Sequence, residues 1–229
     1  MLFLVACAGS SLFEPPCDRI PEPGAVRACF GGDPVAYEGY GTVELTFDGT
    51  VTSMSEDASA CELEVGTIDA DEPVIALLVE DDAGATVTVG LQLAALGQPI
   101  AEGDAVSLDL AYTFGEFGPD VGHVIVSRDD APIVGVSVAG SLDDLVLPEG
   151  LALTEGERLC TTDDGCGVWA KYDLEASFGG ETAALPYGED VVVGGLHVAH
   201  GGYEQADAAD GGECPDWFVA HVDVGFSVE

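Results

Sequence analysis

Chemistry in this chain could come from seven cysteines, four histidines, Ser137 and an excess of carboxylates. Ser137 lies in Gly135-Val-Ser-Val-Ala-Gly140. That run is an apolar strand and misses by one residue the spacing that raises a nucleophilic serine on a sharp turn. No H-E-x-x-H, phosphate-cradling loop or dinucleotide fingerprint accompanies it. His197 and His200 stand three apart, which puts them on opposite faces of a strand, and His123 and His221 are remote from both. Trp169 next to Lys171, with Trp217 and His221, forms a candidate binding patch for a protein or carbohydrate ligand. With 43 Asp and Glu, any pair could serve glycoside chemistry, and for that reason none can be singled out.

Calcium is the cofactor that such a chain suggests. Asp69 to Glu80 has the span of an EF-hand loop with Asp71 at the third position, but Pro73 and Val74 occupy the fifth and sixth. Those positions require an oxygen ligand and a glycine, so the match is accidental. The acid pairs Asp129-Asp130 and Asp163-Asp164 are the better places for a surface Ca²⁺ ion. No other cofactor is implied, and no metal-ligand set stands out.

Five Lys and Arg against those 43 acids give a net charge of −38. Nucleic acid is excluded as a direct partner, because almost nothing could neutralise phosphates. Arg19, Arg27, Arg128, Arg158 and Lys171 are scattered, so most carboxylates must sit in water. Hydrophobic residues reach 47%, enough to offset the entropy of ordering a chain of 229 residues.

Leu4-Val5-Ala6-Cys7 resembles the lipobox of bacterial lipoproteins. The resemblance implies that residues 1–6 are a truncated signal peptide and that Cys7 carries the lipid. It covers about ten residues and says nothing of the folded part. It also implies a membrane-anchored protein of the bacterial cell envelope, facing the periplasm or the exterior. Setting Cys7 aside leaves Cys17, Cys29, Cys61, Cys160, Cys166 and Cys214, an even set fit for three disulfides in an oxidising compartment. Three lie in each half of the chain, so complete pairing needs at least one bridge between the halves. Cys160–Cys166 is a local candidate, with Cys214 reaching back; the other connectivities stay open.

Pro15, Pro16, Pro21 and Pro23 mark residues 7–28 as an extended, lipid-anchored tether. Period-two alternation follows, clearest in Thr42–Asp48, Val106–Phe114, Cys166–Phe178 and Phe218–Glu229. Val74–Val79 and Ile133–Val138 are apolar on both faces and read as central strands. Leu91–Leu96 reads as a short helical turn and Gly201–Glu213 as an exposed acidic loop. The pattern predicts an all-β fold: an antiparallel β-sandwich or barrel of about ten strands, disulfide-stapled, forming one acidic domain over residues 29–229. The expected role is non-catalytic, either binding or structural. The alternatives are an envelope hydrolase with a carboxylate pair in a sandwich cleft and a Ca²⁺-binding surface module.

Overall fold

A computed structural model describes residues 26–35, 41–57, 59–65, 74–93, 99–114, 121–163, 167–208 and 221–228. The chain is all-β and antiparallel. Its strands are β1 (Val26–Gly32), β2 (Gly41–Ser55), β3 (Leu63–Val65), β4 (Ile75–Glu80), β5 (Thr86–Leu93), β6 (Ala105–Phe114) and β7 (Val121–Arg128). They continue with β8 (Ala131–Ala139), β9 (Ala152–Asp163), β10 (Gly167–Phe178), β11 (Glu181–Leu185), β12 (Asp190–Val193), β13 (Leu196–Ala208) and β14 (His221–Val228). Among the described residues the only helical element is a 3-10 turn at Leu142–Asp144.

The strands follow one hydrogen-bonded path, β11-β10-β13-β14-β8-β7-β6-β2-β4-β5-β1-β3, with β9 on β10 and β12 on β13. A sheet this long cannot stay open, because twist accumulates from strand to strand. It curls until β1 and β3 lie against β7 and β8. Phe30, Leu77, Val89, Leu108, Val124 and Val136 meet inside that curl in a first core. The opposite face of the same central strands carries a second core. There Ile125, Val222, Val224 and Phe226 meet Leu174, Leu185 and Val198, with Leu151 closing the side. Burial on both faces explains the unbroken apolar run of β8, buried from Ile133 to Ala139.

Three hairpins have two-residue loops whose two residues both take positive φ: Asp129-Asp130, Gly179-Gly180 and Gly194-Gly195. Positive φ at both positions suits the twist of the flanking strands. The β4–β5 turn is held by Asp81, whose Oδ1 accepts from the Ala83 and Ala85 amides at 2.8 Å.

Several expectations need correction. β1 begins at Val26, so residues 26–28 belong to the fold instead of the tether; Val26 and Ala28 are buried. Leu91–Leu93 ends β5, since Leu91 pairs with both Ala28 and Ile75. The stretch expected to be an acidic loop continues β13 to Ala208, because β14 pairs its first part and β10 its last. Gly201 and Gly202 are buried there. At Gly201 a Cβ would stand 2.7 Å from Val26 Cβ and 2.9 Å from Asp223 Cβ, so only glycine lets β1 cross so closely.

Candidate functional site

A groove of about 330 Å³ opens on the outer face of β2, β6, β7 and β8. Strand register sets its floor: Ser137, His123, Ala111 and Glu44 stand opposite one another across four strands. Val121, Thr113 and Thr42 form the next row, with the two threonine hydroxyls 3.0 Å apart. The wall is the segment after β8, shaped by the 3-10 turn, where Ser141 Oγ donates to Asp144 Oδ2 at 2.7 Å. Val146 closes the groove, and its amide donates to Ser137 Oγ at 2.9 Å.

His123 Nε2 lies 3.4 Å from Asp109 Oδ1 and makes no hydrogen bond. Ser137, His123 and Asp109 thus come from three successive strands of the sheet, as a serine hydrolase would require in type. The serine does not meet the requirement in access. Ser137 is 1% exposed and its oxygen is engaged by the Val146 amide, so it cannot attack a substrate in this state. Among the described residues no Lys or Arg lines the groove, whereas Glu44 and Asp144 do. Its polar equipment accepts hydrogen bonds and repels anions, and Ala111, Val121, Ala139 and Val146 add apolar surface for carbon.

A second, shallower groove of about 580 Å³ collects acids at the hairpin end: Asp48, Asp81, Asp82, Asp129 and Asp130. Asp129-Asp130 is there the β7–β8 turn. Among the described residues no group of three His, Cys, Asp or Glu side chains is arranged to hold a metal ion. The segment with EF-hand spacing runs into β4, whose Ile75–Glu80 backbone is paired on both sides.

Cys29 and Cys61 form a disulfide with a Cα–Cα distance of 5.5 Å, joining the middle of β1 to the chain before β3. Cys160 stands opposite Lys171 in the β9–β10 pairing. Cys7, Cys17, Cys166 and Cys214 lie outside the described residues, as does Trp217. Trp169 pairs in register with Ala206 and Thr162, and His221 with Glu204. Since Glu204 also pairs with Lys171, the backbone positions of Trp169 and His221 are one strand apart and offset by two residues.

Two polar features were not legible in the sequence. Asp223 on β14 is 1% exposed and bonds the Arg27 guanidinium of β1. Arg27 also donates to the Val26 carbonyl at 2.7 Å. A scattered cation and one of 43 acids gave no sign of meeting across the chain. His200 is fully buried. His197, on the other face as its spacing implied, pairs with Asp190 of β12.

No family model, no curated protein and no solved structure matches this chain.

Proposed function

We propose that this is a lipid-anchored protein of the bacterial cell envelope with a non-catalytic binding role. The observation that carries the binding reading is the β2–β6–β7–β8 groove, which pairs acceptor-rich walls with a serine held out of reaction. Its ligand brings hydrogen-bond donors without negative charge, on a partner protein or a carbohydrate. The anchored reading draws on the lipobox-like Leu4–Cys7 and on how the fold begins. β1 is hydrogen-bonded on both edges, bridged at Cys29 and clamped at Arg27, so a pull from the N-terminal side would be borne by the whole sheet.

Disulfide parity becomes sharper with Cys29 and Cys61 joined. If the remaining four cysteines of the oxidised set also pair, Cys17 must bridge to Cys160, Cys166 or Cys214. Intact mass of the mature protein, reduced and non-reduced, reads lipid and disulfides together; a mass without acyl chains would overturn the anchor. Cys7→Ser should move the protein from the detergent phase to the aqueous phase. For the groove, the labelled domain is titrated with a tri-lysine peptide and with maltotriose. Amide shifts around His123 and Glu44, lost in Glu44→Gln, support binding there; saturating either probe without such shifts removes that site.

A further inference from the structure

His200 is buried with no exposed surface, and neither ring nitrogen has a hydrogen bond of good geometry, although the Pro186 and Leu185 carbonyls lie near the ring. It lies on β13 beneath the turn between β11 and β12. Tyr187 of that turn, itself 1% exposed, meets the imidazole edge-on with ring centroids 5.5 Å apart. Bonds to β10 and β13 hold this cover. The Tyr187 amide donates to Asp173 Oδ1 at 2.8 Å, the Glu189 carbonyl accepts from the His200 amide at 2.8 Å, and β12 contributes four residues paired to β13. Gly188, Gly194 and Gly195 take positive φ, and Val192 is 47% exposed. Between the buried Tyr187 and Val193, residues 188–192 are exposed or half-buried, and such a glycine-rich stretch is where local opening costs least.

We propose that residues 186–195 form an acid-released flap, which lifts from β13 when His200 takes a proton. The physical cause is the cost of holding a cation without water. The groups around the ring are the Asp173 carboxylate of β10, the Asp223 carboxylate of β14, which is paired with Arg27, the Pro186 and Leu185 carbonyls, and the Tyr187 ring. His197 of the same strand faces Asp190. Burial is the largest influence and lowers the ring's pKa to about 4, against 6.5 in water. The Pro186 and Leu185 carbonyls and the Asp173 and Asp223 carboxylates oppose it without overcoming it. An open flap returns the imidazole to water, so between those values the open form binds the proton and the closed form does not. Acid therefore favours opening, and the effect saturates near the lower value. His197 binds Asp190 at the other end of the segment, so the flap should lift from its Pro186–Glu189 end first.

The test is hydrogen exchange of the full chain, read as protection factors at pH 7 and pH 4.5. Amides of residues 187–193 should lose protection on the order of 50-fold on acidification, while those of β8 keep theirs. His200→Gln, which cannot charge, should abolish the selective loss, as should His200→Leu if the glutamine variant is poorly folded. Unchanged flap protection in the parent protein overturns the proposal. So does the same acid loss in a folded His200 variant, which would assign the opening to carboxylates.

Discussion

The two faces of β8 and β14 are closed in different ways. Over the first face the sheet curls back on itself, and its cover, β1, is paired on both edges, disulfide-bridged at Cys29 and ion-paired at Arg27. Its core gathers Phe30, Leu77, Val89, Leu108, Val124 and Val136. Over the second face the cover is made of short strands and turns, and it encloses His200 and Tyr187. One strand pair thus serves a cross-linked core bordered by the buried Arg27–Asp223 pair and a core with a buried imidazole under a turn. The second face is therefore expected to open first, because the shared strands are buried on both sides and only the covers are fastened differently.

The sharpest way to break that comparison is to unfasten the first face. Cys29→Ser with Cys61→Ser opens a bridge 32 residues apart in sequence, and the chain-entropy picture puts the loss at about 4 kcal/mol. Urea denaturation measures the total. Exchange should show the loss concentrated in β1, β3 and β5, with β10 and β14 less affected. Equal loosening of both faces would show that they unfold as one unit.

Removing the clamp is expected to cost less. Arg27→Met leaves the Asp223 carboxylate buried without its guanidinium, and losing one partner of a buried pair costs about 3 kcal/mol after allowance for the partly exposed arginine. Arg27→Met combined with Asp223→Asn should recover much of that loss, because the buried charge is gone. A double variant no more stable than Arg27→Met would mean that Asp223 is satisfied without Arg27.

The first face was far more legible in the sequence than the second. Val43, Leu45 and Phe47 in β2, and Val106, Leu108 and Leu110 in β6, alternate because one side of each strand meets the core. The run Gly201–Ala208 was misread because glycine and acid composition resembles a loop; its strand character comes from pairing with β14 and β10, which no local signal carries. Leu91–Leu93 failed for the same reason. His200 could be placed on a strand face from its distance to His197, but its burial depends on Tyr187 and Asp173, which reach it only in the folded chain. With Cys7 set aside as a lipidation site, six cysteines allow 15 connectivities, and the Cys29–Cys61 bridge leaves three of them. The groove was invisible, since its residues come from four strands in register.

The smallest effect is expected at the turn joining β7 to β8, and it has two internal references. Gly179-Gly180 and Gly194-Gly195 make the same two-residue connection, with φ of 61° and 87° and of 58° and 81°. The β7–β8 turn does so with two aspartates, Asp129 at 52° and Asp130 at 62°. A residue with a Cβ pays for left-handed backbone, and Asp pays less than most because its short polar side chain tolerates that region. The second position is where such hairpins most favour glycine. Asp130→Gly should therefore raise stability by about 0.5–1 kcal/mol, the relief of strain outweighing the greater freedom of glycine in the unfolded chain. Removing one charge from an acid-lined groove adds to the gain at low ionic strength, and that part should fade in molar NaCl. Asp130→Ala separates the two contributions, since it loses the charge but keeps the Cβ. It should lower stability in high salt, whereas a stabilised alanine variant there would show that repulsion between the acids, and not backbone strain, governs this turn.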